Sequence, residues 1–434
     1  MAETIFAQAT PPGRSGVAII RISGKDALKA AAALGVGSLS SRRASLRTLC
    51  DPKTKQVLDQ AVVIAFPAPA SFTGETIVEL QCHGSPAVCR ALLARLGAMP
   101  GLRPALPGEF TRRALENGRL DLAQVEGFAD LLSAETEAQR KQALATAGGA
   151  VSAMAAQWRD QLLEALALVE AAIDFTDDGI EDGVLAGVPS MLASVAEEMA
   201  QAVAGAAASE RIREGFVVAL FGAPNVGKST LLNALAGREI ALTSSEPGTT
   251  RDALEVALEI RGLPVTLVDT AGLRESVSGI ERLGIERARA RLEIADLRIL
   301  LVENGDQRDA FETHLHEGDF VVLAKADLGG SVASLAVSGR TGQGIEALLD
   351  AIGDELELRC AGASGLAHAR QRRAVAAAAE PIVEACRLST GGAMNVELVA
   401  HAIRSALHEL DCLVGRVDVE TVLDAVFSRF CLGK

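Results

Sequence analysis

Residues 222–229 read Gly222, Ala223, Pro224, Asn225, Val226, Gly227, Lys228 and Ser229, the spacing G-x-x-x-x-G-K-S, with Thr230 next. Glycines at that spacing let the backbone curl until its N–H groups converge on one point. A helix starting behind them adds the positive end of its dipole. Such a cradle takes polyphosphate: the lysine reaches the terminal phosphates and the serine hydroxyl ligates Mg2+. A plain glycine turn between a strand and a helix is the blander and weaker reading.

Further along lie residues that would complete the chemistry. Gly248, Thr249, Thr250, Arg251 and Asp252 make a polar loop from which a threonine can finish a Mg2+ shell. Asp269, Thr270, Ala271 and Gly272 end a strand, with Asp269 placed to hold the metal through water and Gly272 to approach a γ-phosphate. Lys325 and Asp327 fit a base-reading pair. The carboxylate accepts from guanine N1 and the exocyclic amine, a donor pair that adenine lacks, so Asp327 points to GTP rather than ATP. Ser338, Gly339 and Arg340 would close over the base. Ala324 stands where such motifs usually carry Asn. One missing hydrogen bond costs about 1 kcal/mol, so weaker nucleotide binding with the guanine preference kept is expected. Signalling GTPases place a water-orienting Gln directly after the D-x-x-G glycine. Leu273 occupies that position here, and Arg274, Glu275 and Glu281 are nearby polar candidates that local evidence does not rank.

These residues need a scaffold of strands and helices. An apolar, β-branched run over 216–221 leads into the glycine loop, and Leu231, Leu232, Ala234 and Leu235 follow at helical spacing. Strands are expected over 263–270, 297–303, 319–327 and 334–339, with a helix over 280–295. This alternation predicts a mainly parallel sheet with right-handed crossovers. Residues 1–118 read as α+β, with strands over 16–24, 61–69 and 76–84 and helices over 26–34 and 86–96. Arg21 and Glu79 fall inside those strands, where a charge usually faces solvent. Residues 119–209 and 359–434 are helical and alanine-rich. Leu162, Leu166, Val169 and Ile173 form one helical stripe, and residues 177–183 make an acidic, glycine-containing break. Without sustained heptads a bundle is preferred to a coiled coil. Two helical blocks around an α/β unit at 210–358 imply that one domain is inserted in another.

Composition narrows the class. No window of the 434 residues approaches the ~18 uninterrupted apolar residues of a membrane span, and the first residues lack a secretory pattern. Seven scattered cysteines argue against a zinc site or disulfide framework and fit a cytoplasmic location. The net charge of −14 disfavours a generic nucleic-acid coat. Residues 1–118 are nonetheless net basic, which suits an anionic partner or a solvated face equally. With one Trp and no Tyr, base stacking on aromatic platforms is a poor fit.

The segments ATPPGRSGVAIIRISG, SFTGETIVELQCHG, LPGEFTRRALENGRLDLAQVE, GAPNVGKSTLLNAL, EPGTTRD, DTAGLRES and the terminal FCLGK together resemble the MnmE (TrmE) family of tRNA-modification GTPases over nearly the whole chain. The resemblance implies a multidomain fold: an α+β folate-binding-like N-terminal domain (1–118), an all-α helical domain in two parts (119–209 and 359–434), and an inserted α/β Ras-like P-loop GTPase domain (210–358). It implies a homodimer through the N-terminal domain, formyl-tetrahydrofolate as one-carbon donor, and a partner, MnmG (GidA), that uses FAD and NADH. The implied product is an aminomethyl or carboxymethylaminomethyl group at carbon five of the tRNA wobble uridine.

Carried over by residue, GTP is contacted by the loop from Asn225 to Thr230, by Ser244, Ser245, Glu246, Pro247, Gly248, Thr249 and Thr250, and by Asp269 to Gly272. Lys325, Asp327 and Ser338 to Arg340 complete that set. Ser229 and Thr250 would hold Mg2+. Asn225, Ser244, Glu246 and Thr249 would hold K+, which replaces an arginine finger, and Glu281 would orient the attacking water. Arg21, Glu79, Arg119 and Lys434 would contact folate, and Cys431 would be a functional cysteine. The competing readings are a ribosome-assembly GTPase switch and a folate-dependent aminomethyl transferase with an inert G domain.

Overall fold

The computed structural model describes residues 3–174, 185–238, 240–241, 255–269, 291–303, 311–329, 335–390, 394–417 and 433. The chain forms two compact units, one of Met1–Ala129 with Asp411–Lys434, the other of Asp130–Leu410.

The first unit is built on a six-stranded sheet. Strands β1 (Thr4–Gln8), β2 (Ser15–Ser23), β3 (Ser45–Cys50), β4 (Val57–Phe66), β5 (Ile77–Gly84) and β6 (Leu102–Pro104) lie in the order β3-β4-β5-β2-β1-β6. Every pair is antiparallel except β1 with β6. Alternate side chains of β2, β4 and β5, among them Ile20, Ile22, Val63 and Leu80, bury one face under α1 (Ala27–Ala33) and α2 (Pro86–Gly97). Pro86 opens α2, where a missing N–H costs nothing. On α3 (Glu109–Glu116), Arg113 reaches Glu75 at 3.0 Å and Glu109 at 3.0 Å. Glu75 in turn accepts from Ser23 Oγ at 2.8 Å, and Arg103 closes on Glu109 at 2.6 Å. This polar lattice gives the SFTGE and GEFTRR segments a physical reason: they lock the loop at 71–75. After α4 (Leu122–Ser133) the chain enters the second unit. From the far end of the sequence, Gly433 is buried in the first unit at φ 97°. A Cβ there would crowd the Gln8 carbonyl and lie 2.8 Å from Ala9 Cα.

In the second unit, α5 (Glu137–Ala147), α6 (Ala150–Asp174) and α7 (Val188–Glu214) precede a five-stranded sheet. Strands β7 (Phe216–Gly222), β8 (Glu255–Ile260), β9 (Leu263–Asp269), β10 (Leu297–Val302) and β11 (Phe320–Leu323) lie in the order β11-β10-β7-β9-β8. All neighbours are parallel except β8 with β9. β7 sits at the centre and is buried on both faces, as a parallel sheet covered by helices requires. Its Phe216, Val218 and Leu220 pack with α8 (Lys228–Ala236) and α9 (Ile345–Cys360), while Ala219 and Phe221 pack with Leu292 and Ala295. Two more helices follow, α10 (Ala369–Thr390), packed along α7, and α11 (Val396–Val414).

The predicted stripe on α6 is buried at Leu162, Leu166 and Val169, whereas Ile173 is only half-buried. Residues 335–337 do not continue the strand expected over 334–339; they supply an isolated bridge, Leu323 with Ala336. The break at 177–183 and most of the helix expected at 280–295 lie outside the described residues. Among those described, no helix is long and apolar enough to cross a membrane.

Helix α5 meets the sheet at the turn between β8 and β9. Arg261 and Gly262, both at positive φ, make the two-residue turn between β8 and β9, the pattern of a type I′ hairpin. Ala138 N–H donates to the Gly262 carbonyl at 3.0 Å. Gln139 caps α5 reciprocally with Thr136 and also donates from Nε2 to the Arg213 carbonyl at 2.9 Å.

Candidate functional site

The glycine loop leaves the centre of the sheet. Gly222 ends β7 at φ 139°, and a Cβ there would run into the Leu301 carbonyl of neighbouring β10, so only glycine fits the exit. Asn225 (φ 60°) and Gly227 (φ 114°) continue the curl, and α8 starts at Lys228. Lys228 is buried, its Nζ donating to the carbonyls of Gly222 at 2.9 Å and Ala223 at 3.0 Å. Burial pushes its ammonium below the usual lysine value, and the nearby Asp269 carboxylate opposes that. The cation is therefore fixed inside the ring of backbone that a polyphosphate would enter.

Behind it, Ser229 Oγ donates to Asp269 Oδ2 at 3.3 Å. Asp269 ends β9 and is buried, and its Oδ1 has no hydrogen-bond partner among the described residues. A hydroxyl beside a carboxylate with a spare oxygen is a hard, all-oxygen donor set, and it fits Mg2+.

The far end of the same cavity, about 260 Å³, is lined by Ala324, Lys325, Asp327, Ser338, Gly339 and Arg340 as well as by Asn225, Gly227 and Thr230. Asp327 is exposed, and its carboxyl is held below the usual range first by the Ser338 hydroxyl and then by the Arg340 cation. It is thus an ionised acceptor. Lys325, at φ 57°, pairs with Glu303 at 2.6 Å. Gly339 has no room for a Cβ, which would lie 2.8 Å from the backbone of Thr230 and Leu231, so the loop at 338–340 closes directly onto α8. Ala324 is buried in the sheet core, its N–H bonded to the Val302 carbonyl at 2.8 Å.

A second cavity, about 340 Å³, lies in the first unit and is lined by Arg42, Phe66, Ala70, Ser71, Phe72, Ile77, Glu79 and Arg119. Arg21 and Glu79 face each other across β2 and β5, bonded at 2.9–3.0 Å. Both are half-buried, not solvent-facing as strand alternation alone suggests. The Arg21 guanidinium carbon also stands 5.7 Å from the ring centres of Phe72 and Phe110. Gly74 (φ 78°) lets the chain at Asn117 and Arg119 approach closely, and Asn117 Nδ2 donates to the Thr73 carbonyl at 2.7 Å. That contact sets Arg119 on the cavity wall.

Of the residues singled out from sequence, Asn225 to Thr230, Asp269, Lys325, Asp327 and Ser338 to Arg340 gather at one end of the parallel sheet, and Arg21, Glu79 and Arg119 gather in the first unit. Ser244 to Thr250, Thr270, Ala271, Gly272, Glu281, Cys431 and Lys434 lie outside the described residues. Leu301, Leu328, Val337, Glu303 and Arg42 join these sites without having been singled out. For Leu301 the signal was available: it closes a strand parallel to β7 and must flank the glycine exit.

Comparison with known proteins extends this picture. The descriptions "GTP-binding protein TrmE N-terminus" and "MnmE helical domain" match residues 4–119 and 122–431. The tRNA modification GTPase MnmE of Dinoroseobacter shibae is 51% identical over 433 residues, covering 100% of both chains. That of Cereibacter sphaeroides is 48% identical over 432 residues, again covering 100% of each. Among solved structures, the G domain of the T. maritima FeoB iron transporter is 27% identical over 32% of this chain and 98% of its own. Its TM-score of 0.26 is too low to bear on the fold. On the family matches and the full-length identities, the chain belongs to the MnmE (TrmE) family of tRNA-modification GTPases.

Proposed function

We propose that this chain hydrolyses GTP and couples hydrolysis to modification of the tRNA wobble uridine at carbon five. With a flavin-dependent partner of the MnmG (GidA) kind, it would install an aminomethyl or carboxymethylaminomethyl group from a one-carbon folate, in the cytoplasm. One observation carries the nucleotide part: the glycine loop and the base-reading residues, distant in sequence, share one cavity. The name of the full-length relatives carries the tRNA part.

In this reading the N–H groups at the start of α8 and the Lys228 ammonium hold the phosphates. The Asp327 carboxylate, kept ionised by Ser338 and Arg340, accepts the two guanine N–H donors. Ser229 and Thr250 would hold Mg2+, with Asp269 acting through water; when bound, the ion neutralises charge on the phosphate oxygens. Asn225, Ser244, Glu246 and Thr249 would hold K+, which supplies the charge that an arginine finger supplies elsewhere. Leu273 cannot orient water, and the family resemblance gives that role to Glu281. In the first unit Arg21, Glu79, Arg119 and Lys434 would hold formyl-tetrahydrofolate. Glu79 and Arg119 supply an acceptor and a cation to the cavity, a fit to a ring bearing N–H groups and a carboxylate tail. Cys431 is the proposed functional thiol. Residues 1–118 would dimerise the chain, and 210–358 would be a domain inserted between helical halves 119–209 and 359–434.

The deciding experiment is mass spectrometry of tRNA nucleosides from a strain lacking this protein. Loss of the carbon-five substituent is expected, and unchanged wobble uridines would remove the tRNA assignment. For the GTPase step, turnover should rise when Na+ is replaced by K+ and collapse in Glu281→Ala. Cation-independent hydrolysis that survives this substitution would refute the mechanism.

A further inference from the structure

Arg42 lines the cavity of the first unit but has no part in the folate contacts assigned above. It sits at φ 56°, a left-handed conformation that L residues other than glycine adopt at a cost. Such outliers persist where the surroundings over-determine them, often at ligand sites. Its N–H is bonded to the Ala65 carbonyl at 2.8 Å. The side chain is exposed, yet it is held: the guanidinium donates to the Ala70 carbonyl and its central carbon stands 5.8 Å from the Phe66 ring centre. Phe66 and Ala70 line the same cavity, so the strained residue delivers its cation to the cavity wall.

The charges around the cavity define what it takes. Both Arg21 contacts with Glu79 fall on Oε1, at 3.0 and 2.9 Å. This pair neutralises itself and leaves Oε2 to accept from ligand N–H groups. Arg42 and Arg119 have no carboxylate partner among the described residues, so the wall carries two unneutralised guanidinium groups beside Phe66 and Phe72. A planar heterocycle with N–H donors and a tail of carboxylates matches that arrangement, and a guanidinium binds a carboxylate in bidentate fashion.

We propose that Arg42 is a specificity-determining residue of this cavity, binding the glutamyl carboxylates of the ligand while Glu79 accepts from its ring. The inference rests on the folate reading of the cavity and adds to it a preference for glutamylated over tail-less pterins. The test is calorimetric titration of the full chain with 5-formyltetrahydrofolate and with tetrahydrobiopterin, which has no glutamate. Arg42→Gly suits the left-handed backbone, so the fold should be kept. Folate binding should weaken about tenfold, the loss of one charge-assisted hydrogen bond, with tetrahydrobiopterin affected less than about twofold on the same reasoning. Arg42→Lys, which keeps the charge but not the fork, should fall between. Unchanged folate affinity in Arg42→Gly, or equal losses for both ligands, would overturn the role of Arg42 alone. A wild-type chain that binds no folate would overturn the reading of the cavity, and this proposal with it.

Discussion

Ala324 is the residue at which the nucleotide cavity departs from the usual base-reading pattern, and its burial defines what restoring Asn would do. The methyl group packs into the sheet core and borders the cavity. An asparagine amide would find a partner when guanine is present, gaining about 1 kcal/mol, or about fivefold in affinity. Without nucleotide the same amide is a buried polar group with poor partners, costing about 1–3 kcal/mol. Ala324→Asn should therefore bind GDP about fivefold more tightly yet melt lower in the nucleotide-free state. A fluorescence titration and paired melts with and without GDP check both signs. At this scale the sequence was informative wherever chemistry demands a residue type: Lys228, Asp269 and Asp327 were legible because few other side chains do their work. Arg21 and Glu79 were not legible as partners, because each alone looks like a strand charge facing water. Only the β2–β5 register brings them together. Arg42 left no mark in the sequence, since positive φ at a non-glycine residue is set by the surrounding fold.

Helix α5 illustrates how an element is held in place. Thr136 and Gln139 cap it reciprocally, and Gln139 alone reaches on to the Arg213 carbonyl near the end of α7. Removing the cap hydroxyl in Thr136→Ala should cost about 1 kcal/mol. Gln139→Ala loses the return half of the capping box and the link to α7, so it should cost about 2 kcal/mol. Urea denaturation of the two variants measures the difference, and equal losses would mean that the Arg213 bond adds nothing. Elements with a strong period were readable, as the buried face of α6 and the run leading into Gly222 illustrate. Strands β1, β3, β6 and β8 were missed, all of them at or beside sheet edges where alternation is short or weak. The expected strand at 334–339 has the composition of one, but the described part makes only a single bridge to Leu323.

At the scale of the whole molecule, the first unit rests on carboxylates buried among arginines. Burial works to raise the Glu109 carboxyl. The hydrogen bonds from Arg103, Leu106 N–H and Arg113 outweigh it and hold the group below its ordinary value of 4.5. A carboxyl depressed in the folded state contributes stability that is fully present above the unfolded value and is lost as pH falls through the folded one. The first unit should therefore lose stability on acidification below about pH 4.5. Glu109→Gln, which leaves Arg113 and Arg103 without that anion, should cost about 3 kcal/mol at neutral pH and flatten the acid limb. Denaturation curves between pH 3 and 7 would detect both, and an unchanged acid limb would rule out Glu109 as its source. The make-up of this unit also bears on synthesis. Gln8 and Ala9 leave the ribosome long before Gly433, which packs against them, is made. At the ~5–20 residues per second typical of translation, tens of seconds separate the two. All of the second unit is synthesised within that interval. Docking of Gly433 accordingly follows synthesis of the whole second unit, and a nascent chain arrested anywhere before it would carry the N-terminal sheet with that contact unmade.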